Sequence, residues 1–202
     1  MSSKIFIYIY LGGIVLRPLI RLPAFLKAGR GAIREDRADF RERLLMVLLL
    51  VGMFVCPLLA LGPWLSESAY ALPAWASWSG VVLYLLATGL LWRAHVDLGR
   101  SYSPTVRIRE GQRLVTSGVY GWIRHPIYAA HWLIAIAQVL LVHHWIYGLS
   151  GLVAWSLLYF YRLPREEAMM IKVYGQEYRA YMERVGAILP MAKPTFRAGG
   201  GG

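Results

Sequence analysis

The chain has 202 residues, 57% of them apolar and 16% charged, with a formal net charge of +11 and a mean hydropathy of +0.46. That balance excludes an ordinary soluble domain and describes an integral membrane protein. The single cysteine, Cys56, lies in an apolar run, which excludes a disulfide framework within the chain, a thiolate zinc cluster and a CxxC redox site.

A helix crossing a bilayer needs about 20 apolar residues, and five stretches approach that length. The first spans about 5–20, with Arg17 late enough to snorkel out of a short span. The second, 44–65, carries no charge, and Pro57 and Pro63 are expected to kink or end it. The third covers about 74–92, with Trp75, Trp78 and Trp92 near its ends as interfacial aromatics. The fourth, 126–142, and the fifth, 146–161, are separated only by His143, His144 and Trp145, so they form a tight helical hairpin.

Basic residues crowd the connections after the first and third spans and the C-terminal tail, whereas segments 66–73 and 143–145 contain no Lys or Arg. Five spans explain this asymmetry, with the N-terminus outside and the C-terminus cytoplasmic. Topology accounts for the positive charge, and no platform of interleaved aromatics suggests nucleic acid; membrane lipids are the expected partners of the basic loops. The first span lacks a small-residue cleavage site, so it does not read as a signal peptide. No internal repeat is visible. Residues 1–198 read as one membrane-embedded domain, and the glycine run 199–202 as a flexible tail.

Two polar and aromatic blocks stand out. Plotted at 100° per residue, Pro164 to Val185 forms an amphipathic helix with Pro near its first position. Arg165, Lys172, Gln176, Arg179 and Glu183 line one face, and Met170, Ile171, Tyr174, Tyr178, Tyr181 and Val185 the other. Glu167 falls on the apolar face, where a carboxylate is costly unless paired. It either caps the helix or bridges to Arg162, or it serves a ligand. Arg162 ends the fifth span, as a snorkelling anchor or as a guanidinium able to hold a carboxylate bidentately. Arg124, His125 and Pro126 read locally as a basic interfacial stop before a helix start, and Tyr120 and Tyr128 as belt aromatics. The spacing of His125, His131, His143 and His144 does not suit a metal, and none is expected.

Read together, GQRLVTSGVYGWIRHPIYAAHWL from Gly111 and RLPREEAMMIKVYGQEYRAYMERVGAILP from Arg162 resemble the isoprenylcysteine carboxyl methyltransferase family, whose relatives include phospholipid N-methyltransferases and small-thiol S-methyltransferases. The resemblance rests on Gly118, Tyr120, Arg124, His125, Pro126 and Tyr128, then on Arg162, Pro164, Glu166, Glu167, Gly175, Tyr178, Tyr181 and Pro190. It implies an all-α membrane fold of five transmembrane helices with a C-terminal amphipathic helix and no Rossmann domain. It also implies S-adenosylmethionine as cofactor, with S-adenosylhomocysteine as product.

On that resemblance the cofactor segments are 111–128 and 162–190, and Gly118, Tyr120, His125, Pro126, Tyr128, Glu167, Tyr178 and Tyr181 bind the cofactor. Glu167 would face its α-amino group, and Arg162 and Glu166 would act on the acceptor. A carboxylate acceptor needs only an Arg to place it, whereas an amine or thiol needs a base, for which His125 or Glu166 is the candidate. The expected function is carboxyl O-methylation of a lipophilic, isoprenylcysteine-like substrate entering from the bilayer, by a monomer. N-methylation of a phospholipid or S-methylation of a thiol stays open, as does the different class of a non-catalytic scaffold or transporter subunit, against which no span carries an acidic residue and no inverted repeat appears.

Overall fold

The structure is a computed structural model and describes residues 4–27, 33–36, 39–99, 107–109 and 113–191. The architecture is helical. Helix α1 (Lys4–Lys27) is followed by α2 (Phe40–Leu50), which continues through a π turn (Val51–Val55) into α3 (Cys56–Leu59). Then come α4 (Ala74–Leu98), α5 (Pro126–Leu141), α6 (Trp145–Tyr174) and α7 (Gln176–Arg184). The all-α expectation needs one amendment, because strands β1 (Ile33–Asp36) and β2 (Arg107–Arg109) pair antiparallel. This ribbon joins the connections after α1 and α4 at one end of the bundle.

At the other end, Tyr70 N donates to His143 O at 3.1 Å and His144 to Leu65 O at 2.9 Å. His143 and His144 are therefore built into the loop packing, and His144 Nδ1 also accepts the Tyr147 N–H at the start of α6. Only Val142, His143 and His144 separate α5 from α6, so the expected hairpin is present.

Small residues set the contact between α4 and α5. Ala87 and Ala94 on α4 and Ala130 and Ala137 on α5 are fully buried, and a Cβ on Gly80 would lie 2.7 Å from Leu140 Cβ. Backbones approach where side chains are small, the usual basis of helix association in lipid.

The break in the second apolar stretch follows from its proline. Pro57 has no N–H for Met53 O, four residues back. Just before it, the Cys56 N–H bonds Val51 O across a π turn instead of Gly52 O. Two carbonyls are thereby released inside an apolar bundle, where each needs a partner. The Tyr10 hydroxyl sits 3.0 Å from Met53 O and 2.6 Å from Gln138 Oε1. Gln138 Nε2 donates to Gly52 O at 2.9 Å and Tyr147 O at 2.8 Å, and Ser150 Oγ lies 2.7 Å from Gly52 O. Four helices are tied together by one proline's missing donor. Gly151 leaves room for the amide, since a Cβ there would lie 2.1 Å from Gln138 Oε1.

The bundle wears much of its apolar surface on the outside. Leu16 and Leu19 of α1, Leu44 and Leu50 of α2, Leu85 and Leu86 of α4, and Leu157 and Phe160 of α6 are all exposed. Such a surface requires a lipid environment. Among the described residues two helices are long and apolar enough to cross a bilayer, Phe40–Leu59 and Ala74–Leu98.

Several boundaries differ from the sequence reading. The second helix starts at Phe40, so it includes Glu42, and it ends at Leu59, short of Pro63. Helix α6 does not stop at residue 161: it runs on to Tyr174 with Pro164 inside it, its N-terminal half held by packing, and the break comes at Gly175, whose φ is +58°. The expected amphipathic helix is thus the end of α6 plus α7. Arg17 does not simply snorkel, because its Nε bonds the Tyr84 hydroxyl at 3.1 Å and its guanidinium lies over that ring. The tail 199–202 and many of the basic loop residues lie outside the described residues.

Gln138→Leu is expected to lower stability by about 1–2 kcal/mol, since it removes the amide that closes the π turn; thermal unfolding in detergent measures this.

Candidate active site

The polar cluster gathers at the ribbon end of the bundle, where the start of α5 meets the second half of α6. The chain reaches α5 through a tight 3-10 turn, Gly118–Gly121. Gly118 has φ +61°, and a Cβ there would meet Asp97 Oδ2 at 2.1 Å. Only glycine satisfies both demands. Asp97 accepts the Val119 N–H at 2.8 Å and pairs with Arg93, also at 2.8 Å, so the turn is fastened to the end of α4.

From there the chain runs beside the segment leaving α7. Arg124 N donates to Gly186 O and His125 N to Ala187 O, both at 2.8 Å. The Arg124 side chain completes the join: Nη1 donates to Val185 O and to Met182 O, the last carbonyls of α7, which a cation suits. Its Nη2 donates to Glu167 Oε1 on α6 at 2.8 Å. Pro126 then opens α5, where a missing N–H costs nothing.

Glu167 Oε1 also faces His125 Nε2 at 3.3 Å. Burial opposes ionisation of Glu167, but the hydrogen bonds and charges of His125 and Arg124 outweigh it and hold the carboxyl below its ordinary range. Glu167 therefore pairs with Arg124 and His125 rather than with Arg162. The His125 ring stacks on Tyr128, 5.3 Å between centroids at 15°, and the Tyr128 hydroxyl donates to Glu166 Oε2. Both neighbouring carboxylates of α6 thus face the first turn of α5.

Arg162 belongs to the same cluster from the other side. Its Nε lies 3.5 Å from Oε1 of Glu42, a carboxylate 1% exposed, and its Cζ stands over the Tyr128 ring at 5.7 Å. The acid comes from α2, whose first turn is capped by Asp39: its Oδ1 accepts the Glu42 N–H at 2.8 Å, while Oδ2 receives the Tyr161 hydroxyl at 2.6 Å and pairs with Arg165 at 3.1 Å. An Asp-x-x-Glu spacing that begins a helix is visible in the sequence. Its use as a contact to α6 is not.

Tyr120, Tyr178 and Tyr181 are buried in the support beneath this cluster. The Tyr181 hydroxyl donates to Tyr120 O, and burial pushes its phenol up to about 12 and that of Tyr178 upward as well, so both stay neutral. Asp97, Arg124 and Glu42 are the contributors that sequence reasoning did not assign. Among the described residues, no three His, Cys, Asp or Glu side chains are grouped so as to hold a metal. A cleft of about 710 Å³ lies between α1, α2 and α5, lined by apolar residues such as Ile14, Met46, Met53 and Phe54, together with Arg17 and His131. Met46 is one helical turn from Glu42, and His131 about one turn from Tyr128.

Residues 80–172 match the isoprenylcysteine carboxyl methyltransferase (ICMT) family. Protein-S-isoprenylcysteine O-methyltransferase of Homo sapiens is 31% identical over 122 residues, which is 59% of this chain and 43% of that protein. Probable protein-S-isoprenylcysteine O-methyltransferase of Oryza sativa subsp. indica is 32% identical over 117 residues, 56% of this chain and 61% of the relative. A solved structure of the eukaryotic intramembrane Ras methyltransferase ICMT aligns with a TM-score of 0.52 at 25% identity, covering 77% of this chain and 54% of that one. The chain therefore spans about half the length of the proteins it resembles. Sequence and fold agree with the resemblance carried by the two motif blocks: residues 80–172 of this chain are similar to the isoprenylcysteine carboxyl methyltransferase family.

Proposed function

We propose that the chain is a membrane-embedded methyltransferase that uses S-adenosylmethionine to esterify the carboxylate of an isoprenylcysteine-like lipophilic acceptor. The observation that carries this reading is the convergence of Glu166, Glu167, Arg124 and His125 with Arg162, together with an apolar cleft. We read α1, the α2–α3 helix, α4, α5 and the first half of α6 as five crossings, with the N-terminus outside and the site cytoplasmic.

The residues suit the cofactor's charges. Two carboxylates against one guanidinium leave Glu166, Glu167 and Arg124 with one negative charge, complementary to a ligand whose sulfonium and ammonium outweigh its carboxylate. Glu167 Oε1 is occupied by Arg124 and His125, which leaves Oε2 for an ammonium. Arg124 Nε is buried with no hydrogen-bond partner among the described residues, a donor for the ligand's carboxylate. The stacked His125 and Tyr128 rings offer faces for a cation or an adenine. Bound there, the cofactor supplies a methyl group on a sulfonium, transferred by in-line displacement. The protein's part is placement and exclusion of water. Arg162 holds the acceptor carboxylate, already nucleophilic without a base, while the apolar cleft receives the lipid tail.

Glu167→Ala is expected to abolish S-adenosylmethionine binding, measured with labelled cofactor in detergent, whereas Arg162→Ala keeps that binding within about threefold and loses at least about 100-fold in kcat/KM. Unchanged cofactor affinity in Glu167→Ala overturns the assignment. With a prenylated cysteine, transferred label should be released as methanol by base; base-stable label indicates N- or S-methylation and directs attention to His125 or Glu166 as base.

The lowered Glu167 pKa sets a pH dependence. A depressed carboxyl contributes stability above its ordinary value of 4.5, and that contribution is lost as pH falls through the lower folded value. Cofactor affinity should therefore persist as pH is lowered to 4.5 and fall below it. Titrating cofactor binding against pH in folded protein checks this.

A further inference from the structure

Glu42 is the one acidic residue among the described residues that is fully buried, and it lies outside the segment 80–172 that matches the family. A carboxylate so placed costs several kcal/mol unless it is compensated. Two features among the described residues help to compensate it. It stands in the first turn of α2, where the helix dipole favours an anion, and its Oε1 lies 3.5 Å from Arg162 Nε.

The ion pair, 3.5 Å at the Nε side of the guanidinium, has a geometric meaning. The charge draws that side of the group toward α2 and so biases the direction its Nη1–Nη2 edge faces, which is the edge that grips a carboxylate bidentately. The Tyr128 ring stands against the same guanidinium, 5.7 Å from its carbon, and the Tyr128 hydroxyl is bound to Glu166. Arg162 is thus held between an acid on α2 and an aromatic ring on α5. The Asp39 contacts with Tyr161 and Arg165 keep the start of α2 docked against α6.

We propose that Glu42 is a positioning residue for the acceptor: through Arg162 it orients the guanidinium that receives the substrate carboxylate. This rests on the reading of Arg162 as the acceptor clamp. Electrostatics alone predicts the opposite of positioning. Neutralising Glu42 makes the pocket more positive, which by itself would tighten binding of an anionic acceptor. A weakened acceptor interaction in a neutral variant must therefore come from lost orientation.

The test uses the full chain in detergent, labelled S-adenosylmethionine and a farnesylated N-acetylcysteine. Glu42→Gln is expected to raise the acceptor KM about tenfold while cofactor affinity stays within about twofold, and Glu42→Asp to recover part of the loss. In the Arg162→Ala background Glu42→Gln should add nothing, because both act through one group. An acceptor KM in Glu42→Gln that is unchanged or lower, or an additive effect with Arg162→Ala, overturns the proposal. Should Glu42→Gln fail to bind cofactor, Glu42→Asp decides: a KM raised about threefold with cofactor affinity retained supports positioning, and an unchanged KM overturns it. If Arg162→Ala itself leaves acceptor KM and kcat intact, the clamp reading falls and takes this proposal with it. An impaired Arg162→Ala beside a normal Glu42→Gln defeats the positioning role alone.

Discussion

Arg124 is the residue on which the polar end of this molecule is hung. Its side chain is almost wholly enclosed, and an enclosed guanidinium is tolerable only if its donors are met. Two carbonyls at the end of α7 and the Glu167 carboxylate of α6 meet those of its two terminal nitrogens, leaving Nε without a hydrogen-bond partner among the described residues, while its backbone pairs with the strand-like segment leaving α7. Segments some 60 residues apart in sequence are thereby locked at one point. Because Arg124 sits two residues before α5, the same contacts fix where that helix begins, and so where His125 and Tyr128 point. Gly118 and Asp97 perform a parallel service one step earlier, anchoring the incoming turn to α4.

The charged groups divide into two linked sets. Arg124, His125 and Glu167 form one, made wholly from the C-terminal half. Asp39 and Glu42 against Arg162 and Arg165 form the other, and it joins α2 to α6. Tyr128 touches both, stacking on His125, lying beside Arg162 and binding Glu166. Such a bridge couples the two sets through one ring that is itself packed among Trp155 and Tyr159. Disturbing either set would be felt by the other through a shared side chain, the situation in which energetic effects stop being additive.

Much of this was legible in the sequence because it is carried by local pattern. The apolar runs marked five helical stretches, three intervening residues marked the α5–α6 hairpin, and the family resemblance of the two motif blocks pointed to residues that gather in one polar cluster. Three things were not legible. The partner of Glu167 is Arg124 rather than Arg162, since the choice depends on how α5 docks against α6 and not on helical periodicity. Pro164 looks like a helix start in isolation, but tertiary packing carries α6 straight through it, and Gly175 makes the break instead. Glu42 lies just outside the uncharged run read as the second span; an acid at that spacing suggests a capping box, and nothing local reveals that it faces an arginine 120 residues away.

The π turn in the second helix is also a change of phase. An α-helix advances about 100° per residue, so one extra residue in a turn rotates all that follows by about that angle relative to an unbroken helix. Before the turn, the face carrying Glu42 and Met46 looks toward the polar cluster and the apolar cleft; after it, the helix is re-aimed. The two halves of one rod, before and after the turn, can thus obey different neighbours. A polar requirement at one end is insulated from the packing code at the other, and Tyr10, Gln138 and Ser150 serve as the bearings on which that rotation is held.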